Sequence, residues 1–348
     1  MRKTRLAIIG CGAVTELFHL PGIALSRAVE LTTLVDRDLA RAQTLARRYN
    51  VPVVLADYRE LFGKVDAAVV ALPNYLHTSA TIDLLNNGIH VLVEKPMALT
   101  TKECDAMIET AQNQGLVLAV GLIRRFYRSS QYIKSLLEEG VLGEIGRFEF
   151  REGSIFHWPI ATSATFCKEK AGGGVLVDVG AHVLDLLLWW FGECLSVDYR
   201  DDAMGGVEAD CEIRLKFRSG VEGVIELSRT RQLENICRIY GSRGTLEFET
   251  EYCPLMRMTL RGRNYPFVGR IVEDVKLSQK IPEAWDIWDV FRRQIDDFAA
   301  AINRDQGPFI SGQEGRRSVE LIEICYASRK PLELPWSAQP ASDFSCTV

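Results

Sequence analysis

The stretch Gly172–Trp190 gathers the side chains of this sequence that are best suited to acid–base chemistry. On a helix, Asp178, His182 and Asp185 would share one face, because residues spaced by four and then three positions lie above one another. An imidazole, whose ordinary pKa is about 6.5, can exchange a proton with a hydroxyl near neutral pH. An Asp–His pair that only stabilises the helix is the alternative. Gly180 favours function, since a glycine within a helix costs about 1 kcal/mol and suggests that another group approaches the backbone.

A lysine within the tripeptide Glu94–Pro96 is the second candidate for chemistry. It follows the apolar run His90–Glu94, which we interpret as a strand. In open α/β sheets, ligands bind outside the carboxyl ends of the strands, so Lys95 could reach a bound cofactor. A solvent-exposed lysine at the end of a strand would have the same sequence, and this motif alone leaves both interpretations open.

A glycine-rich turn, Gly10–Thr15, lies between a short apolar run and a predicted helix. Gly10 would permit a tight turn, and Gly12 would let a pyrophosphate approach the backbone N–H groups that begin the helix. Asp36 ends the next apolar run, where a carboxylate can bind ribose hydroxyls. The pattern predicts a dinucleotide site that prefers NAD, although Arg37 beside Asp36 leaves NADP possible.

These candidate residues need a framework, and the first 121 residues predict one. Short runs rich in valine, isoleucine and leucine alternate with helical segments, as is typical of strands buried on both faces of a parallel sheet. The predicted strands are Arg5–Ile9, Glu30–Val35, Ala67–Leu72, His90–Glu94 and Val117–Gly121. The predicted helices are Arg37–Tyr49, His77–Asn87 and Thr101–Gln114, the last with a capping box from Thr100 to Glu103. We therefore predict an α/β Rossmann domain with a doubly wound parallel sheet over residues 1–123.

The pattern changes after Arg124, because several strands then follow one another without helices between them. The predicted strands are Gly146–Arg151, Asp210–Phe217, Val221–Ser228, Ile236–Gly241 and Thr245–Glu249. The predicted helices are Ser129–Glu139, Gly173–Phe191, Ala284–Asn303 and Gly312–Ser328. This order predicts an α+β domain with a large, mostly antiparallel open sheet over residues 124–336. Residues 337–348 are predicted to form a disordered tail.

The composition excludes several classes of function. Hydrophobic residues make up 47% of the chain, charged residues 25%, and the net charge is −5, so a nucleic-acid partner is not expected. The apolar runs are shorter than the roughly 18 residues of a membrane-spanning helix, and no membrane partner is expected. The nine cysteines include no C-x-x-C pair. Their pattern argues against a metal site or a disulfide framework and favours the cytoplasm.

Four motifs together resemble the Gfo/Idh/MocA family, named after glucose–fructose oxidoreductase, inositol dehydrogenase and a rhizopine catabolism protein. They are G-C-G-A-V-T at Gly10–Thr15, L-P-N-Y-L-H at Leu72–His77, E-K-P at Glu94–Pro96 and G-G-G-x-L-x-D-x-G-x-H-x-x-D at Gly172–Asp185. The resemblance implies that Lys95, Asp178 and His182 are catalytic and that the peptide before Pro96 is cis. It also implies a cofactor site formed by Gly10, Gly12, Ala13, Val14, Asp36, Arg37, Leu72, Pro73, Asn74, His77, Glu94 and Lys95.

The resemblance also carries two expectations about packing. The open sheet of the second domain usually forms the oligomer interface in this family, so we expect a homodimer or homotetramer. An exposed face of apolar residues on that sheet would need such cover. Thr15 stands where the dinucleotide motif has its third glycine, and we expect looser packing of strand and helix at that point.

The leading hypothesis is an NAD-dependent dehydrogenase acting on a secondary alcohol of a sugar or cyclitol. His182 would accept the hydroxyl proton, Lys95 would stabilise the alkoxide, and Asp178 would orient His182 or a substrate hydroxyl. Further substrate contacts are expected from Arg124, Arg125, Tyr127, His157 and Trp158. The two arginines could instead be solvated or bind an anionic group. A ketoreductase of unusual-sugar biosynthesis, a glycosidase that retains NAD and a non-enzymatic NAD-binding regulator are the rivals.

Overall fold

The alternating strands and helices at the beginning of the chain form a six-stranded parallel sheet with the order β3-β2-β1-β4-β5-β6. The computed structural model describes residues 3–160, 163–203, 206–250, 255–263, 265–271, 286–304 and 306–332. The strands of this first sheet are β1 (Thr4–Ile9), β2 (Val29–Val35), β3 (Val53–Leu55), β4 (Ala67–Val70), β5 (His90–Glu94) and β6 (Leu118–Gly121). The predicted Rossmann sheet is confirmed.

The helices that cover this sheet are α1 (Leu20–Leu25), α2 (Leu39–Tyr49), α3 (His77–Asn86) and α4 (Thr101–Gln114). A π-helical turn, Thr15–His19, leads into α1. The predicted capping box is present at the start of α4, where the Thr100 side chain accepts from Glu103 N–H and the Glu103 side chain accepts from Thr100 N–H. Such a reciprocal cap satisfies two backbone donors that a helix otherwise leaves free, and it fixes where α4 begins.

A second sheet has nine strands in the order β14-β13-β12-β11-β7-β10-β9-β8-β15. The strands are β7 (Ile145–Gly153), β8 (Cys194–Asp201), β9 (Asp210–Phe217), β10 (Glu222–Ser228), β11 (Ile236–Gly241), β12 (Gly244–Glu249), β13 (Leu255–Leu260), β14 (Phe267–Arg270) and β15 (Lys330–Pro331). Strand β7 pairs in parallel with β10, and β8 with β15, while the other neighbours are antiparallel. The predicted, mostly antiparallel sheet is confirmed.

The outward face of the second sheet is charged, which corrects the expectation of an apolar face. On β9, Ile213, Leu215 and Phe217 are buried, whereas Arg214 and Lys216 between them are exposed. Neighbouring strands carry ion pairs of the same kind: Arg147–Glu149, Arg151–Glu226, Arg238–Glu247 and Arg257–Glu247. Since strand residues alternate between the two faces, the buried apolar residues point to the core and leave an outward face that is mostly charged.

The helices of the second half are α5 (Arg128–Glu138), α6 (Lys168–Ala171), α7 (Ala181–Phe191), α8 (Ile287–Arg304) and α9 (Gly312–Ala327). Helix α7 packs on the inner face of the second sheet, as part of a core with Phe148, Ile213 and Leu227. A stretch ending in α7, Lys168–Phe191, has the length and hydropathy of a membrane span, but 72% of its apolar window is buried inside the fold. This stretch therefore serves as a core segment.

The chain returns to the first sheet after the second one is built. Helix α8 contributes Ile295, Phe298 and Ala299 to the core beside β1, although the predicted first domain ends at residue 123. Ser311, just before α9, forms a β-bridge with Ala119. The division at 123/124 therefore omits two helices that complete the first core. The predicted tail, 337–348, lies outside the described residues.

Candidate active site

A cleft of about 1300 Å³ runs along the carboxyl end of the first sheet and continues between that sheet and the second domain. Its walls include most of the residues predicted from the sequence: Gly10, Gly12, Ala13, Val14, Asp36, Arg37, Leu72, Pro73, Asn74, Glu94, Lys95, Arg124, Tyr127, Trp158, Asp178 and His182. His77, Arg125 and His157 are not among them. The cleft brings the dinucleotide motif and the acid–base candidates into one continuous space.

The turn after β1 has the shape that a bound pyrophosphate needs. Gly10 has a φ of +99°, and a methyl group there would lie 2.3 Å from the carbonyl oxygen of Ala71. A methyl group at Gly12 would meet no protein atom within 4 Å, so the space in front of this residue is open to a ligand. Thr15 is fully buried, and its hydroxyl donates to the carbonyl oxygen of Gly10 at 2.6 Å. Thr15 thus braces the turn, and the expectation of looser packing there is wrong.

The end of β2 positions Asp36 beside this turn. One carboxylate oxygen of Asp36 accepts from Cys11 N–H at 2.7 Å, and the other accepts from Asp38 N–H at 2.8 Å. Both bonds hold the carboxylate at the edge of the cleft, where the sequence analysis predicts the ribose. The sequence analysis missed Arg41 and Arg59, which line the same end of the cleft and are paired with aspartates. The guanidinium groups of Arg41 and Arg59 therefore lie near the predicted ribose position.

Lys95 follows β5, and the peptide between it and Pro96 is cis, as the resemblance implied. The Lys95 ammonium donates to the Asp178 carboxylate and to the Asp178 carbonyl oxygen, both at 2.8 Å. Burial, together with the nearby guanidinium groups of Arg229 and Arg124, lowers the pKa of Lys95 to about 8. Lys95 is therefore a fixed group inside the cleft, and the alternative of a solvent-exposed lysine is wrong.

Arg229 is the functional candidate that the sequence analysis missed. It follows β10, its guanidinium donates to the second carboxylate oxygen of Asp178, and it lies 5.3 Å from the centre of the Phe156 ring. Because β10 runs parallel to β7, both strands end at the cleft, which is the signal that could have indicated Arg229. Asp178 thus joins two cations, Lys95 and Arg229.

His182 lines the cleft but is not bonded to Asp178. Its Nδ1 is buried and has no hydrogen-bond partner among the residues that the structure describes. Burial, Lys95 and Arg124 hold the pKa of His182 well below its usual range, so the imidazole is neutral at neutral pH. The expected Asp178–His182 pair fails because Asp178 lies on a π-helical turn, Leu176–Gly180, and its carboxylate is occupied by the two cations.

The glycines before α7 allow a buried carboxylate to hold this part of the chain. One Glu208 oxygen accepts from Gly174 N–H at 2.8 Å, from Leu176 N–H at 3.0 Å and from the Tyr326 hydroxyl at 2.9 Å. A methyl group at Gly174 would lie 1.8 Å from the Glu208 carbonyl oxygen, and one at Gly173 would lie 1.7 Å from the Tyr326 hydroxyl. The triple glycine therefore serves close packing under the turn that carries Asp178.

Gly180 also allows close packing. The sequence analysis took this glycine as evidence that the Asp–His face is functional, and the structure corrects that interpretation. A methyl group there would lie 2.8 Å from a side-chain carbon of Leu176 and 3.2 Å from one of Leu227. Two core side chains, and no part of the cleft, thus approach the backbone at this glycine.

Arg125 is a structural residue, which corrects its assignment as a substrate contact. It is 2% exposed, forms a two-point ion pair with Asp185 at 2.9 and 2.6 Å, and donates to Glu314 at 2.7 Å. Its guanidinium also lies 5.4 Å from the centre of the Trp189 ring. Asp185, the last residue of the predicted Asp–His face, thus pairs with a buried arginine.

Two predicted histidines also lie outside the cleft. His77 is fully buried, and its ring nitrogens lie 2.8 Å from the Pro96 carbonyl oxygen and 2.7 Å from the Leu72 carbonyl oxygen. It joins the chain segments after β4 and β5 and so positions them without touching the cleft. His157 is exposed, and its Nδ1 lies 2.9 Å from the carbonyl oxygen of Ile155. It is not positioned as a substrate contact.

Two other predicted substrate contacts are in place. The Arg124 guanidinium forms two hydrogen bonds with the Glu152 carboxylate, at 2.7 and 2.6 Å. Trp158 lines the cleft and stacks on Phe18 with 6.0 Å between the ring centres. The far end of the cleft is therefore bounded by an ion pair and by aromatic rings, a combination suited to a small polar molecule with an apolar face.

Comparison with known proteins agrees with this geometry. A family model for the Gfo/Idh/MocA oxidoreductases with an NAD-binding Rossmann fold matches residues 4–122. The model for the C-terminal domain of the same family matches residues 130–247. The chain belongs to this family. The predicted nicotinamide dinucleotide cofactor and the predicted class of enzyme, an oxidoreductase, are thereby confirmed.

Several proteins similar to this chain are named for reactions of sugars, and others are named for a cyclitol or a dihydrobenzenediol. A putative UDP-kanosamine synthase oxidoreductase subunit of Amycolatopsis mediterranei is 35% identical over 94% of this chain and 96% of its own length. D-glucoside 3-dehydrogenase of Escherichia coli is 34% identical, but the match spans 54% of each chain. The crystal structure of aldose–aldose oxidoreductase from Caulobacter crescentus is similar with a TM-score of 0.82 and 25% identity, over 94% of this chain and 97% of that one.

Proposed function

We propose that this protein is an NAD-dependent dehydrogenase that interconverts a secondary alcohol and a ketone of a sugar or cyclitol. The observation that carries the proposal is the placement of Lys95, Asp178 and His182 in the same cleft as the Gly10–Gly12 turn and Asp36. The names of the relatives support a sugar substrate. The cysteines that the structure describes are all free thiols, which supports a location of the protein in the reducing cytoplasm.

Lys95 and His182 form the proposed acid–base pair. A dinucleotide held by the Gly10–Gly12 turn and Asp36 would supply the acceptor for the hydride of the carbinol carbon. His182 accepts the hydroxyl proton, since its lowered pKa keeps the imidazole neutral and able to act as a base. Lys95 remains an ammonium below about pH 8 and donates a hydrogen bond to the oxygen as negative charge develops there. In the direction of ketone reduction, the proton returns from His182 to the oxygen.

Asp178 and Asp36 have positioning roles in this proposal. Asp178 holds the Lys95 ammonium at 2.8 Å and keeps it aimed into the cleft. Asp36 would accept hydrogen bonds from the ribose hydroxyls and repel a 2′-phosphate, so NAD is preferred. The arginines at that end of the cleft, Arg37, Arg41 and Arg59, make this a preference for NAD without exclusion of NADP.

Turnover of a substrate panel tests the proposal. Neutral aldoses, alkyl glucosides, cyclitols, sugar acids and sugar phosphates are incubated with NAD, and NADH absorbance is recorded. Formation of NADH with a sugar or cyclitol supports a dehydrogenase. Hydrolysis of a glucoside without net NADH would support a glycosidase that retains NAD, and reduction of a ketosugar alone would favour a ketoreductase. NAD binding without any reaction would leave the non-enzymatic regulator.

A further inference from the structure

We propose that the reacting ring of the substrate is uncharged, and that Glu152 selects against a ring that carries a carboxylate or phosphate. This inference rests on the proposed function and narrows its substrate class. It concerns the end of the cleft beyond Lys95, where Arg124, Glu152, Asp178 and Arg229 line the walls.

Arg124 is the residue that would bind an anionic substrate, but its binding face is occupied. Both terminal nitrogens of Arg124 donate to the two carboxylate oxygens of Glu152, at 2.7 and 2.6 Å. This two-point geometry is the one in which arginine binds a carboxylate or phosphate of a ligand. The side chains are 12% and 13% exposed, so the pair is largely shielded from solvent. An anion beside Arg124 would face the Glu152 carboxylate at short range, which disfavours its binding.

The second guanidinium at this end is occupied in the same way. Arg229 donates to Asp178 and packs over Phe156, and Asp178 also accepts from Lys95. Lys170 also lines the cleft, but its ammonium lies over the Tyr75 ring, 5.8 Å from the ring centre. Lys170 therefore packs against the segment after β4, which contains Tyr75.

The charges that remain favour a neutral substrate on chemical grounds. Arg124 and Glu152 cancel, and Lys95 and Arg229 are balanced by Asp178 and by Glu94, which lies beside Lys95 in the cleft wall. The Lys95 ammonium stabilises the oxygen of a neutral alcohol as it becomes negative, because its charge acts where the new charge appears. A carboxylate or phosphate bound beside the ammonium would neutralise its charge before the reaction begins. The carboxylates of Glu152 and Asp178 can instead accept hydrogen bonds from uncharged hydroxyls.

Matched substrate pairs provide the test. Specificity constants are measured by NADH formation for methyl glucoside against methyl glucuronide and glucoside 6-phosphate, and for myo-inositol against its monophosphate. The same pairs are measured for Glu152→Gln, for the double variant Glu152→Gln/Arg124→Gln and for Glu149→Gln. Glu149 pairs with Arg147 on the same strand but does not line the cleft, so it is the matched control.

We expect the wild-type protein to prefer each neutral substrate at least about 100-fold, which corresponds to roughly 2.7 kcal/mol. Glu152→Gln should reduce that preference at least about tenfold because it removes the carboxylate that repels an anion beside Arg124. The double variant should restore the preference, and Glu149→Gln should not change it. An anionic substrate used as well as its neutral counterpart by the wild-type protein would overturn the inference and leave the proposed function intact. An unchanged preference in a folded Glu152→Gln variant would do the same. Oxidation of none of the sugars or cyclitols would overturn the proposed function itself.

Discussion

Replacement of His182 by alanine should abolish most of the turnover without weakening the cofactor site. The imidazole accepts the proton in the proposed reaction, and such general base assistance is worth about 100- to 10,000-fold. At about 1.36 kcal/mol per factor of ten, the activation free energy should rise by about 2.7 to 5.4 kcal/mol. His182 has no hydrogen-bond partner among the described residues. Its removal therefore leaves the Lys95–Asp178 pair in place and leaves no buried donor or acceptor unpaired.

The assay combines turnover, cofactor affinity and rescue. Turnover is followed by NADH absorbance, and NAD affinity by calorimetry, where a change of no more than a few-fold is expected. Added imidazole should restore part of the activity, because the alanine variant leaves a space of the same shape beside the substrate. His157→Ala is the matched control, since His157 is exposed and lies outside the cleft. If His182→Ala kept more than about a tenth of the wild-type turnover, or if His157→Ala lost as much, the assignment of His182 as the base would be refuted.

Four further predictions follow from the described contacts. The specificity constant for alcohol oxidation should fall above about pH 8, because Lys95 loses the proton that makes it a donor. It should show no decline at pH 6.5, because His182 is already neutral there. Asp178→Asn should move the alkaline decline to lower pH, since a neutral side chain no longer stabilises the ammonium. NAD should have a higher specificity constant than NADP, and equal values would contradict the role of Asp36. Glu208→Ala should lower both the melting temperature and kcat. Glu208→Gln should lower each of them much less, because the amide oxygen can still accept from the two backbone N–H groups and the tyrosine hydroxyl. A dimer or tetramer formed through the outward face of the second sheet should dissociate as salt is raised, because salt screens the attraction between two faces that are mostly charged. Light scattering measures this, and association that is insensitive to salt would show that another surface is used.

Most of the framework could be predicted because its strands carry a strong signal. All four residues of β4 are buried, and a run of apolar residues with helices on both sides is typical of a parallel sheet. Strand β3 was missed because it has three residues at the edge of the sheet, one exposed and two half-buried. Helix α8 was predicted, but its packing against the first sheet was not, since periodicity shows that a helix has an apolar face without showing which partner covers it.

The site was predictable only where its residues stand in motifs. Lys95, Asp178 and His182 belong to short patterns that recur in one family, so their joint presence was informative. Glu152 stands in β7 and Arg229 directly follows β10, both in sequence of ordinary composition, and only the parallel pairing of these strands brings the two residues to the cleft. Arg125 was assigned wrongly because two adjacent arginines look alike in a sequence, whereas one faces the cleft and the other is buried against Asp185.

The return of α8 to the first sheet makes the nucleotide-binding half unsuitable as a building block that could be exchanged between proteins. Gly22 lies against this helix so closely that a methyl group there would be 2.7 Å from the Cβ of Phe291, and Ser26 donates to Asp296 at 2.6 Å. A fragment that stops at residue 123 would leave the apolar residues beneath α8 exposed to water, at a cost of roughly 25 cal/mol for each Å² uncovered. Recombination that grafts a new substrate domain onto this half must therefore carry α8 along with it.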